Sequence, residues 1–128
     1  MKLLLFRRWR DEAGLDIESR VRSRFPDLAI EHYSALESLV ARLRQPCTPS
    51  FVAALLIAVN PGDVRDLAAW SPLFDGMKVL LVLPDEDAAT VANGHRLKPS
   101  LMTCDDGGPA QICAVIERLL ERRLSDVA

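Results

Sequence analysis

At 128 residues and a formal charge of −2, the chain has the size of one ordinary domain, and its charge gives no electrostatic reason to bind nucleic acid or an anionic membrane. Nearly half of the residues are apolar (49%) but only 5% are aromatic, so the core must rest on Leu, Val, Ile and Ala. Three cysteines, Cys47, Cys104 and Cys113, make an odd count without a C-x-x-C pair, which argues against a disulfide framework and for a reducing compartment.

The chain opens MKLLLFRRWR. One lysine and a four-residue apolar run are too short for a signal-peptide core, so Lys2 to Phe6 is expected to be a first strand. Arg7, Arg8, Trp9 and Arg10 end it abruptly, and a loop is expected from Asp11 to Gly14. Asp16 is the expected cap of a helix through Ile17, Val21 and Phe25, which Pro26 ends. Leu28 to Tyr33 alternates apolar and polar residues, as a half-buried edge strand does. Ser34 followed by Glu37 has the capping-box spacing, and Leu36, Leu39, Val40 and Leu43 then form one helical stripe. Pro46 and Pro49 close that unit.

Phe51 to Val59 is apolar throughout. A strand covered on both faces of a parallel sheet has this composition, and the run falls well short of the ~20 residues of a membrane helix. Asn60-Pro61-Gly62 is a turn signal. Asp63 is the expected cap of a third helix carrying Val64, Leu67 and Ala68, with Trp70 covering core near its end. Met77 to Leu83 is a fourth strand. Pro84-Asp85-Glu86-Asp87 is expected to open a short helix with acids in its first turn, favourable against the helix dipole, ending near Asn93-Gly94. Ser100 to Cys104 is the fifth strand, Asp105 to Gly108 a loop, and Pro109 a helix start. Ile112, Val115, Ile116, Leu119 and Leu120 line the core face of the last helix.

Five strand-helix units in succession predict an α/β fold: a three-layer (βα)5 domain with a five-stranded parallel sheet between helices. The flavodoxin-like order 2-1-3-4-5 suits it best, because the second strand is the least apolar and belongs at an edge. No repeat or internal boundary is visible. One α/β domain is expected over residues 1–124, with a polar tail at 125–128, in a soluble cytoplasmic protein.

With these elements the chain resembles a response-regulator receiver domain over nearly its whole length. The local match is Leu55-Leu56-Ile57-Ala58-Val59-Asn60-Pro61-Gly62. Receivers end their third strand with an apolar pair, the phosphate-accepting Asp, three residues and Pro-Gly. Here the Pro-Gly is in place and Ile57 stands at the acceptor position, where no phosphoryl group can be taken. Receivers carry an acid pair after strand one, where this chain has Phe6-Arg7-Arg8. They carry a Ser or Thr at the end of strand four, where it has Leu83-Pro84. Their strand-five Lys-Pro falls near Asp105-Asp106, and Lys98-Pro99 precedes the strand instead. The resemblance therefore implies a degenerate pseudo-receiver.

In an open α/β sheet the carboxyl ends of the strands form the binding edge. Arg7, Arg8 and Arg10 are expected there after strand one, Asn60 and Asp63 after strand three, and Asp105 and Asp106 after strand five. Arg7, Arg8, Asp63, Asp105 and Asp106 are the candidate edge pocket, with Arg7 or Arg8 expected to pair with Asp105 or Asp106; solvated loop ends account for the same charges. No cofactor, metal or catalytic set is expected: the acids 85–87 are explained by capping, Cys104 and His95 lack a third group to orient them, and Cys47 and Cys113 read as packing residues. The expected role is a non-phosphorylatable protein-interaction module in signalling or gene regulation, not an enzyme. The resemblance implies a protein partner or homodimer at the face of helix four, strand five and helix five. The alternative is a small-anion or nucleotide-binding domain using the arginine-rich edge, because arginine's planar fork suits phosphate.

Overall fold

Short apolar runs become strands and the mixed runs after them become helices. The computed structural model describes residues 2–7, 12–45, 51–104 and 108–127. In chain order it contains β1 (Lys2–Phe6), α1 (Glu12–Arg24), β2 (Ala29–Tyr33), α2 (Leu36–Leu43), β3 (Phe51–Ile57), α3 (Pro61–Ala69), β4 (Val79–Leu83), α4 (Ala88–His95), β5 (Leu101–Cys104) and α5 (Gly108–Val127). A 3-10 turn, Ser71–Phe74, links α3 to β4. All strand pairs are parallel and the order is β2-β1-β3-β4-β5, as the alternation predicts.

The side-chain period of two splits the core into two layers. Leu4, Phe6, Leu56 and Leu81 pack against Leu39 and Leu43 of α2 and Val64 and Leu67 of α3. On the other face Leu3, Leu5, Leu55 and Val82 meet Ile17 and Val21 of α1 and Ile112 and Ile116 of α5. β3 is buried along its whole length, which is why it carries no polar residue. Each fully buried Leu or Ile contributes about 1.5–3 kcal/mol over leaving it exposed.

β3 begins with a bulge. Lys2 pairs with Phe51 but Leu3 pairs with Ala53, so Val52 is an extra residue. Val52 and Ala53 both face the α1/α5 layer, and alternation resumes from Ala54.

Several element ends differ from the sequence expectation. α1 starts at Glu12, and Asp16 lies inside it, paired with Arg20 one turn on at 3.2 Å. α2 starts at Leu36 with Ala35 at its N-cap and no side-chain cap bond; Ser34 lies one residue too early to cap. β3 ends at Ile57, and Val59 is already 39% exposed. α4 starts only at Ala88, so the acids 85–87 precede the helix, and the Asp85 carboxylate instead accepts the Asp87 N–H at 3.1 Å. α4 also runs past Asn93-Gly94 to His95. Gly94 is where α4 lies closest to the sheet: a β-carbon there would stand 2.8 Å from the Met102 sulfur and 3.1 Å from a Leu81 methyl. α5 continues to Val127.

Candidate functional site

The carboxyl edge begins at Arg7. Leu3 and Leu5 face the α1/α5 layer, so the next side chain in phase, Arg7, faces it too. It is 6% exposed, and its Nε donates to Glu18 Oε1 of α1 at 3.1 Å. Arg22, one turn along α1, donates to the other Glu18 oxygen at 3.0 Å. Burial pushes the Glu18 carboxyl up, but the hydrogen bonds and charges of Arg22 and Arg7 outweigh it and hold the group below its ordinary value. The Arg7 backbone is held as well: its N–H donates to the Tyr33 carbonyl at 3.1 Å, and its carbonyl lies 3.0 Å from His32 Nε2. Arg7 is therefore not the exposed edge cation expected from the sequence, because the strand's own phase turns it under α1. Arg8, Arg10, Asp105 and Asp106 lie outside the described residues, and so does any pairing that involves them; Trp9 and Cys47 do too.

Ile57, at the expected acceptor position, is 1% exposed and packs in the α1/α5 layer. Phe6 pairs with Leu56, which makes Arg7 and Ile57 next in register on the same face. The site thus pairs an aliphatic side chain with a cation already engaged by glutamate.

The loop after β3 is locked by its own side chains. Asn60, not Asp63, is the N-cap of α3, and its side-chain oxygen accepts the Asp63 N–H at 2.9 Å. Pro61 at the first helical position suits its fixed φ. Asp63 is the third helical residue, 3% exposed, and its carboxylate reaches back to accept the Val59 N–H at 3.1 Å. Two N–H groups at the helix entrance are thereby satisfied reciprocally, in the manner of a capping box. Sequence reasoning put the cap three residues late because Asp and Asn are equally good caps and the Pro61 signal favours Asn60.

At the end of β4, Leu83 is 2% exposed and stands where a hydroxyl was sought. At the end of β5, the Cys104 thiol donates to the Asp85 carbonyl at 3.5 Å. Lys98 sits before β5, at the amino edge of the sheet, with φ +49°; it is remote from the carboxyl edge. His95 ends α4 at that same amino edge, so it and Cys104 lie at opposite ends of the sheet.

Sequence reasoning missed a second charged cluster on β2 and α2. Glu31 Oε2 accepts from the Tyr33 hydroxyl at 2.9 Å and from Arg42 Nε at 2.7 Å, while Lys2 lies 3.7 Å from Oε1. Burial pushes Glu31 up, and these donors and charges bring it below its ordinary value. Burial and the bond to Glu31 push Tyr33 up. The alternation of β2 was the available signal, since Glu31 and Tyr33 share a face. Arg42 also lies over the Phe51 ring, and Arg44 over the Trp70 ring, each 5.0 Å from the centroid.

Among the described residues no three His, Cys, Asp or Glu side chains are gathered to hold a metal ion, and no helix is long and apolar enough to cross a membrane. No protein-family model matches the chain, and no curated protein matches it either. Among solved structures, a response regulator receiver protein from Pseudoalteromonas atlantica is similar at a TM-score of 0.68 and 12% sequence identity, over 96% of this chain and 99% of that one. The fold is that of a receiver. The two share the fold alone; in this chain the strand ends carry Ile57, Leu83 and the Arg7–Glu18 pair.

Proposed function

We propose that this chain is a receiver-fold signalling module that acts by protein contact and does not accept a phosphoryl group. The observation that carries the reading is Ile57: the last residue of β3 is an aliphatic side chain at 1% exposure, with no group able to bond to phosphorus. The nearest acid along the chain, Asp63, is buried and bonded within the loop. The contact face is α4, β5 and α5, around residues 89–97, 100–104 and 110–122. The outer residues of α5 there include Arg118, Glu121 and Arg122, a mixed-charge surface exposed to solvent.

The test is incubation with a small phosphodonor and Mg²⁺, followed by intact-mass measurement. The expected mass is unchanged. A phosphorylated product would overturn the reading.

A further inference from the structure

We infer that the amino edge of the sheet, at the starts of β4 and β5, is a docking surface for an acidic segment of a partner protein, held by Lys78, Arg96 and Lys98. The surface is at the opposite end of the sheet from Arg7 and Ile57. It goes beyond the contact face proposed above in both place and chemistry.

Three elements bring the cations together. β4 and β5 pair Leu80 with Leu101, and the Ser100 N–H donates to the Val79 carbonyl at 2.8 Å. One residue earlier on each segment, Lys78 is level with Pro99, one strand spacing of about 4.8 Å away. Lys98 is the residue before Pro99, and α4 ends at His95 with Arg96 as its C-cap. In the turn from α4 into β5 the Leu97 N–H donates to the Gly94 carbonyl at 3.1 Å and the Lys98 N–H to the His95 carbonyl at 3.0 Å. Leu97, 3% exposed, anchors that turn in the α2/α3 layer. Lys78, His95, Arg96 and Lys98 are all exposed. The ion pairs among the described residues engage Lys2, Arg7, Arg20, Arg22, Arg24 and Arg42, and none of the four at this edge.

Lys98 occupies a position that suits glycine. Its φ is +49°, in the left-handed region where a β-carbon is unfavourable and glycine is free. Helices commonly end on a glycine in this conformation. Pro99 adds a second constraint, because a residue before proline is driven towards extended backbone. Cations at a helix C-terminus are favourable against the macrodipole, and that accounts for His95 and Arg96. It does not account for Lys98, which stands beyond the last turn, or for Lys78, which is on no helix. A side chain kept against the local backbone preference points to a functional position, and here the group kept is an exposed ammonium.

The charge pattern selects an acidic protein segment. The opposite edge holds Asp85, Glu86 and Asp87 after β4. An acidic partner is thus attracted at one end of the sheet and repelled at the other, which fixes how it docks. The patch is short: Asp27 and Asp75, both exposed, lie along the same edge. A nucleic-acid strand is a continuous polyanion and would meet those acids on leaving the patch, whereas a few carboxylates on a peptide need only the three cations.

Fluorescence anisotropy of the full chain with a labelled oligoglutamate peptide is expected to show binding that weakens as salt is raised. Lys98→Gly removes the charge and relieves the backbone. It is expected to weaken binding about two- to fivefold, the range for one exposed charge pair, while the thermal midpoint is unchanged or higher. Lys78→Glu with Arg96→Glu is expected to abolish binding, and Arg65→Gln on α3 to leave it unchanged. A Lys98→Gly chain that binds as the wild type does, or that melts lower, overturns the inference. So does an equal loss of binding in Arg65→Gln, an absence of binding at low salt, or tighter binding of an oligothymidylate of equal charge. Self-association of the wild-type chain that Lys78→Glu with Arg96→Glu abolishes would name a second copy as the occupant, and overturns it too. None of these results touches the phosphodonor test, which judges the wider reading by itself.

Discussion

Arg7 and Glu18 form an ion pair at 3.1 Å with side chains only 7% and 11% exposed. The pair ties the end of β1 to the middle of α1 at the edge where an α/β sheet usually binds its ligand. A cation so placed is part of the wall between sheet and helix, not a free anion receptor.

Removing Arg7 leaves Glu18 with the half-exposed Arg22 as its cationic donor. Arg7→Ala is therefore expected to cost about 1–3 kcal/mol, whereas the double replacement Arg7→Met with Glu18→Leu is expected to be neutral or to gain about 1–4 kcal/mol. Urea unfolding of the single and double variants checks both; a single variant as stable as the wild type would show that the pair is idle.

The same pair makes stability depend on acid. The folded state holds Glu18 and Glu31 below their ordinary value of 4.5, and a depressed carboxylate favours folding only while it is ionised. That contribution is full above the ordinary value, shrinks as the pH falls below it, and is gone once the pH has passed beneath the folded value. Denaturation midpoints measured from pH 7 to pH 2 are expected to fall through this window. The Glu18→Leu, Arg7→Met double variant is expected to show a shallower fall, with the remainder owed to Glu31 and other carboxylates.

Asn60→Ala removes the side-chain oxygen that caps α3 and is expected to cost about 0.5–2 kcal/mol. Asn60→Ser keeps an acceptor and is expected to recover most of that loss. Thermal unfolding of the two variants side by side measures the difference; equal losses would assign the effect to the loop backbone instead.

Gly94→Val places a branched side chain where even a β-carbon meets the Met102 sulfur at 2.8 Å and two leucine methyls within 3.3 Å. Overpacking of this kind costs about 1–3 kcal/mol. The expected loss should shrink when Met102→Ala is added, because that opens the space; additive losses in a double-mutant cycle would count against direct contact.

The strand order was legible because it depends on coarse patterns: five apolar runs, the least apolar at an edge, with helices between them. The exact starts of helices were not. Ser34 and Glu37 have the right spacing for a cap, yet the chain enters α2 at Leu36, since burial of Leu39, Val40 and Leu43 sets the helix phase. The acids 85–87 suit a first turn, yet the Asp85 carboxylate bonds within its own turn and the helix waits for Ala88. For the site, Ile57 was readable from its spacing to Pro61. The partner of Arg7 was not, because Glu18 comes from a helix whose rotation only the packing of Ile17 and Val21 decides. In hindsight the phase Leu3, Leu5, Arg7 pointed under α1, and Glu18 lies beside that helix's two buried anchors.

The bulge at Val52 has a consequence for the chain's tolerance of length change. Phe51 faces the α2/α3 layer, and without the extra residue every odd-numbered position after it would face that layer too. Val52 reverses this parity, which is how Ile57 comes to lie beside Arg7 and not behind it. Deleting Val52 would let Phe51 and Ala53 follow one another in plain alternation, with every pairing on either side unchanged. Deleting any residue from Ala54 to Ile57 would instead turn part of a fully buried strand inside out. One strand thus contains both the place where the chain can best lose a residue and the stretch where it can least do so.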